Sequence, residues 1–321
     1  SGGATCPSLL LEPSRTNLAT QSEYFESWPT TSNCSFTSNY AISPEGLNNA
    51  SRLVFSGNGY SYGSGFGQSG AVGTIYSLSC YAKRNDNNTQ DIGFFANGSG
   101  AVDSSWALTT EWKRFEFSYT TTNNSLVGIA GENGADVSVY GFQIEQAATY
   151  PTSYIPTYGS SQTRARDSCF GAGNTATFNS TEGVLYAEIA ALDEDSLARY
   201  ITINNDVASN NAIRLLYHNS NYVFFQKYVN GVRTTNLSTD SITKTDFNKI
   251  AIRYNSTEVS VFVNGVNILN NADTNIMPPN TLNVLEFEMA GANNKFFGKA
   301  KQVLVFKEAL SDTELIKLTT I

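Results

Sequence analysis

The sequence predicts an all-β protein: two antiparallel β-sandwich domains of jelly-roll type and one short C-terminal helix. Three observations carry this. Only 15% of the 321 residues are charged, well under the roughly 25% of ordinary soluble domains, and Ser, Thr, Asn and Gly fill the difference. Apolar residues alternate in short runs separated by turn residues. No long amphipathic helix interrupts them, which argues against helical bundles and doubly wound α/β folds.

Strands are expected at residues 76–82, 112–119, 137–144, 184–189, 200–203, 250–254, 259–263 and 302–306. In 112–119 (WKRFEFSY), Phe115, Phe117 and Tyr119 share one face; in 259–263, Val259, Val261 and Val263 alternate with Ser260 and Phe262, the mark of a half-buried strand. The Gly-rich stretch 57–73 has neither a Lys nor a following helix with which to cradle phosphate, and reads as a long loop. Asn230-Gly231 and Asn264-Gly265 each follow an apolar run and precede Val, the signature of a tight type I′ hairpin. Near the end, Ser311 and Glu314 form a capping box and Leu310 can staple onto Leu315. The helix they start is expected to cover one end of a sandwich.

A boundary falls near residue 165, giving domains 1–165 and 166–321. The connector, 150–165, begins YPTSYIPTYGSSQ; its Tyr and Ile residues suit a packed segment better than a solvated linker. The two halves show no repeat.

Twenty basic residues face 28 acidic ones, a net charge of -8, and no basic cluster is long enough to track phosphates, so nucleic acid is a poor partner. No apolar run is long enough to cross a bilayer, and the chain is expected to be soluble, without membrane insertion. It opens with SGGATC, read as a processed end or the start of a fragment. Cys6, Cys34, Cys80 and Cys169 lie far apart without zinc-like spacing. They read as buried or incidental thiols, with disulfides forming only in an oxidising compartment.

Catalytic motifs are scarce. His218 is the only histidine, which leaves one candidate base for any Ser-His or Cys-His arrangement; beside a turn, it reads as a surface residue. Glycoside hydrolysis needs only two carboxylates, and LEFEM places Glu286 and Glu288 on one strand face, about 7 Å apart. They are the catalytic candidates, although solvent-facing carboxylates are the plainer reading. Asp193, Asp195 and Asp206, with Glu194, are weak candidates for structural calcium, which needs several converging oxygens; otherwise no cofactor is required. Aromatic loops are more informative, because a sugar's CH face stacks on an aromatic ring while neighbouring polar groups bond its hydroxyls. Tyr60, Tyr62 and Phe66 in GNGYSYGSGFGQSG, and Trp106 in GSGAVDSSWALTT, are the sugar-contact candidates. Trp28 and Trp112 flank strands and are expected in the core.

Five segments taken in order, LLLEPSRTNL (9–18), YPTSYIPT (150–157), TRARD (163–167), EGVLYAEI (182–189) and ALSDTEL (309–315), resemble fibre and tail-associated proteins of tailed bacteriophages and prophages. In that family a carbohydrate-binding-module-like jelly roll precedes a concanavalin A-like, or laminin G-like, sandwich. The resemblance implies a non-catalytic adhesin on the virion surface that binds bacterial surface glycan, commonly within a trimeric fibre, with a structural calcium in some jelly rolls. It carries no binding residue over to this chain. On this reading weak sites gain by multivalency. The alternatives are a polysaccharide hydrolase or lyase, and a purely structural virion or surface module.

Overall fold

The computed structural model describes residues 8–28, 30–62, 72–87, 89–96, 102–122, 127–192, 198–207, 210–217, 222–239, 242–289 and 294–321, with backbone only at 30–31 and 58–62. The chain divides into two compact units, Ser14–Ala165 and the remainder, in which residues 8–13 join Arg166–Ile321. The segment before Pro13, counted above with the first half, therefore pairs with the second. The architecture is otherwise as expected: antiparallel sheets throughout and one short terminal helix.

Strand β1 (Leu9–Leu11) belongs to the second unit. The first unit holds β2 (Arg15–Asn17), β3 (Thr30–Ala41), β4 (Ala50–Tyr62), β5 (Ile75–Arg84), β6 (Ile92–Phe95), β7 (Ser104–Ser105), β8 (Lys113–Thr120), β9 (Gly128–Gly131), β10 (Asp136–Gln146) and β11 (Gln162–Arg164). Eight of them form one sheet in the order β7-β6-β9-β4-β10-β5-β8, with β3 also on β4. Strand β4 turns this sheet over: Val54 pairs with Asp136 of β10, and Gly59 with Gly131 of β9. The two ends of the strand order meet again, since Trp106, just after β7, stacks on Phe115 of β8 at 5.2 Å. Leu53, Phe55, Leu78, Phe94, Val137 and Phe142 fill the space between. A Cβ on Gly131 would lie 2.8 Å from the Phe55 ring, so only glycine lets the layers approach there. Residues 57–62, read above as loop, are thus strand: pairing with β9 outweighs the poor strand propensity of glycine.

The connector packs as expected, across the outer face of this sheet. Glu145 accepts hydrogen bonds from the Thr152 amide (2.8 Å) and hydroxyl (2.5 Å), and Gln143 accepts one from the Ile155 amide at 2.7 Å. Tyr154 sits edge-on to Tyr140, 5.5 Å between centroids. Gly141, with φ +67, makes room for it at a bulge: an added Cβ would lie 3.2 Å from the Tyr154 ring.

The second unit holds β1, β12 (Gly183–Ala191), β13 (Arg199–Asn204), β14 (Ala212–Tyr217), β15 (Val223–Val229), β16 (Val232–Ser238), β17 (Asn248–Tyr254), β18 (Glu258–Val263), β19 (Val266–Ala272), β20 (Val284–Glu286), β21 (Gly298–Phe306) and helix α1 (Asp312–Thr319). A six-stranded sheet, β1-β21-β12-β17-β18-β19, faces a five-stranded one, β16-β15-β14-β13-β20. Leu185, Ile203, Ile213, Phe225, Ile250 and Val261 lie in the core between them, each contributing about 1.5–3 kcal/mol by burial. Both Asn-Gly hairpins form, with φ of 49° and 85° at Asn230 and Gly231 and 50° and 84° at Asn264 and Gly265.

Helix α1 starts with the expected capping box at Ser311 and Glu314. It covers a sheet face rather than a sandwich end: Leu315 packs with Val184, Tyr186, Ala251 and Phe262 on the outside of the six-stranded sheet. Arg253 pins its start, donating to the Leu310 carbonyl at 3.0 Å and to Asp312 at 2.6 Å. Strand β18 is consequently buried on both faces instead of one. Among the described residues no helix is long and apolar enough to cross a membrane.

Candidate functional site

Strand pairing in the five-stranded sheet sets which side chains share its outer face. Thr202 pairs with both Glu286 and Arg214, Arg214 with Gln226, and Gln226 with Asn236, so one polar row crosses all five strands. Because Ile201, Ile203, Ile213 and Leu215 point into the core, alternation turns this row outward. The row is nonetheless covered on the β14-β13-β20 side, where Thr202, Arg214 and Glu286 are buried. The Arg214 guanidinium lies 4.3 Å from the Tyr228 ring and 5.9 Å from that of Tyr200, a cation shielded by aromatic faces.

Glu286 and Glu288 are not the solvent-facing pair that alternation suggests. They are 6% and 7% exposed. Glu288 forms a buried ion pair with Lys295, whose Nζ also donates to the Ser168 hydroxyl at 2.8 Å. Glu286 Oε2 accepts a hydrogen bond from Asn204 Nδ2 at 3.2 Å, while Oε1 accepts none among the described residues. Burial pushes the Glu286 carboxyl above the usual carboxylate range, the Asn204 bond opposes this, and the nearby Glu288 and Asp206 charges add to the rise.

Glu286 lines a depression of about 500 Å³, with Asp206, Asn283, Asn174, Thr175 and Phe170. The size is that of a small-ligand site. Three local devices build it. The Asn204 side chain accepts the Asp206 amide at 2.6 Å, and Asp206 adopts φ +60, turning the chain sharply after β13. Ala172 and Leu285 exchange backbone hydrogen bonds of 3.2 and 2.7 Å, clipping the 170–175 loop to β20. Asn174 Oδ1 accepts the Ala176 amide at 2.9 Å, closing a turn that Gly173, at φ +88, permits. The result leaves Phe170 66% exposed at the rim. The Asn283 side-chain oxygen is buried without a hydrogen-bond partner among the described residues.

Two residues singled out on separate grounds, Asp206 for calcium and Glu286 for catalysis, thus line one depression. Among the described residues no group of three or more His, Cys, Asp or Glu is placed to hold a metal. Asp193, Asp195, Phe66, His218 and Cys6 lie outside the described residues, as do the side chains of Tyr60 and Tyr62, whose backbone lies in β4. Trp106 is corrected: it is 5% exposed, stacked on Phe115 and edge-on to Phe94 at 4.9 Å, because the closing sheet draws it into the core. Trp28 is in the core as expected. Trp112, expected there too, is half-buried, with Lys83 5.3 Å from its ring and its indole N–H donating to the Ile42 carbonyl at 2.9 Å. Cys34, Cys80 and Cys169 are free thiols; burial pushes the Cys34 thiol up to about 12 and the Cys80 thiol higher still.

The site residues that sequence reasoning missed are Phe170, Asn174 and Asn283. The signal was faint but present: CFGAGNTATFN sets a lone aromatic among Gly, Asn and Thr, much like the loops singled out elsewhere.

Residues 189–316, within the second unit, match the family model of the concanavalin A-like lectin/glucanases superfamily. The second unit has that fold. No curated protein matches the sequence. Among solved structures the chain is similar to Ruminococcus gnavus IT-sialidase CBM40, at 16% identity and TM-score 0.40 over 47% of this chain and 94% of that one. The same domain bound to alpha2,3 sialyllactose gives 18% and 0.38, over 47% and 94%. A SAP-like pentraxin from Limulus polyphemus gives 8% and 0.39, over 47% and 74%.

Proposed function

We propose that the chain is a non-catalytic glycan-binding protein whose concanavalin A-like unit holds a sugar in the depression beside Phe170. The observation that carries this reading is the lining itself: an exposed aromatic ring beside the Asp206 and Glu286 carboxylates and the Asn174 and Asn283 carboxamides. An aromatic rim takes a sugar's CH face, and acceptor oxygens take its hydroxyls. The family match in this unit and the resemblance to phage fibre proteins support the same reading. On this reading the protein stands on a virion surface, in a homotrimeric fibre, attached to bacterial surface polysaccharide. Neither Asp206 nor Glu286 needs a cofactor for this role.

One observation favours hydrolysis as the second reading. Burial raises the Glu286 carboxyl, while Glu288, two residues along the chain, is ion-paired with Lys295, and a glycosidase uses one such raised carboxyl as its acid. The ion pair, however, occupies Glu288 in the protein interior, where a substrate has no access to it.

The test is titration of the full chain against a panel of bacterial surface polysaccharides, beside assay of reducing ends. Binding that weakens at least tenfold in Phe170→Ala, with no release of reducing ends, is expected. Release that Glu286→Gln abolishes would establish the hydrolase instead.

A further inference from the structure

We infer that the depression selects amino sugars carrying a free ammonium group and rejects carboxylated sugars. The inference rests on the glycan-binding reading and adds to it the chemical class of the ligand. Its first ground is the sign of the lining. Asp206 and Glu286 are both acidic, and among the described residues no lysine or arginine lines the depression. The nearby cations are engaged elsewhere: Lys295 is held by Glu288 and Ser168, and Arg214 lies against the Tyr228 ring. Asp206 makes no ion pair and its carboxylate accepts no hydrogen bond among the described residues, although it is exposed.

The second ground is independent of charge counting. Glu286 is more than nine-tenths buried and lines the depression, yet its Oε1 lacks a partner among the described residues. A carboxylate in that condition wants a donor, and one that brings a positive charge satisfies it best. A sugar ammonium offers three donors and a positive charge from one atom to the two carboxylates that line the depression. A hydroxyl offers one. An N-acetyl group offers one N–H and brings an acceptor carbonyl that finds no donor cation. A carboxylated sugar sets like charges against each other. Phe170 contributes to all sugars alike, because stacking is indifferent to the substituent's charge.

The experiment measures binding of the full chain to a glucosamine oligomer, to its fully N-acetylated counterpart and to 3′-sialyllactose, at low and moderate salt. The glucosamine oligomer is expected to bind at least tenfold more tightly than the N-acetylated one, with the margin shrinking as salt rises. Sialyllactose is expected not to bind. Asp206→Asn, an exposed and unbonded position, should lower the preference to less than threefold, and Glu286→Gln should lower it as well. Equal affinity for the two oligomers, or sialyllactose binding that Phe170→Ala removes, would overturn the inference while leaving the glycan-binding reading in place. If none of the three sugars binds, the inference falls, and the glycan-binding reading is decided by the polysaccharide titration with Phe170→Ala.

Discussion

Replacing Lys295 by methionine is expected to destabilise the second unit sharply, because it strands the Glu288 carboxylate beside Glu286, at 7% and 6% exposure. Removing one partner of a buried ion pair costs about 3–5 kcal/mol. For a unit of this size each kcal/mol moves the melting temperature by about 2–4 °C, so the loss should be roughly 6–20 °C. Two units give the chain two transitions to follow. All three tryptophans, Trp28, Trp106 and Trp112, lie in Ser14–Ala165, so tryptophan fluorescence follows the first unit while calorimetry follows both. In Lys295→Met the calorimetric transition of the second unit should fall with the fluorescence midpoint unmoved. The double variant Lys295→Met/Glu288→Gln carries a neutral amide in place of the stranded charge, and should recover more than half of the loss. A single variant that melts like the unmodified chain, or a double variant as impaired as the single, would refute this account of the pair.

Two further outcomes follow from the same geometry. Burial works to raise the Asp273 carboxyl, but hydrogen bonds from Thr235, Thr234 and Asn275 outweigh it and hold it at about 2. Its stabilisation of the second unit is therefore complete above the unfolded value, 3.8, and is lost as pH falls through about 2; Asp273→Asn should flatten that acid-side decline in calorimetry. Gly131→Ala should force a Cβ against Phe55 and cost the first unit about 1–3 kcal/mol, lowering the tryptophan fluorescence midpoint and leaving the second transition where it was.

Local chemistry made much of the fold legible. The capping box at Ser311, the two Asn-Gly turns and the alternation of Phe115, Phe117 and Tyr119 each depend on neighbours a few residues away, and each forms as read. What sequence reasoning missed depends on distant partners. Residues 57–62 are strand because β9 lies alongside, and β18 is buried twice because α1 returns over it. Trp106 and Trp112 exchange roles for the same reason: sheet closure, not the flanking residues, decides which ring is covered. At the site, Glu286 and Asp206 were visible singly as acidic residues, but the loop carrying Phe170 and Asn174 meets them only through the Ala172–Leu285 bridge, which no spacing in the sequence encodes.

The pairing of β1 with β21, Leu9 against Ala300 and Leu11 against Gly298, has a consequence for synthesis on the ribosome. The earlier of these strands must wait until Gly298–Ala300 have been made, roughly 15–60 s later at ordinary elongation speeds. Meanwhile Ser14–Ala165 can mature as a separate body, leaving the apolar Leu9–Leu11 segment as a natural ligand for holdase chaperones until its partner strand arrives.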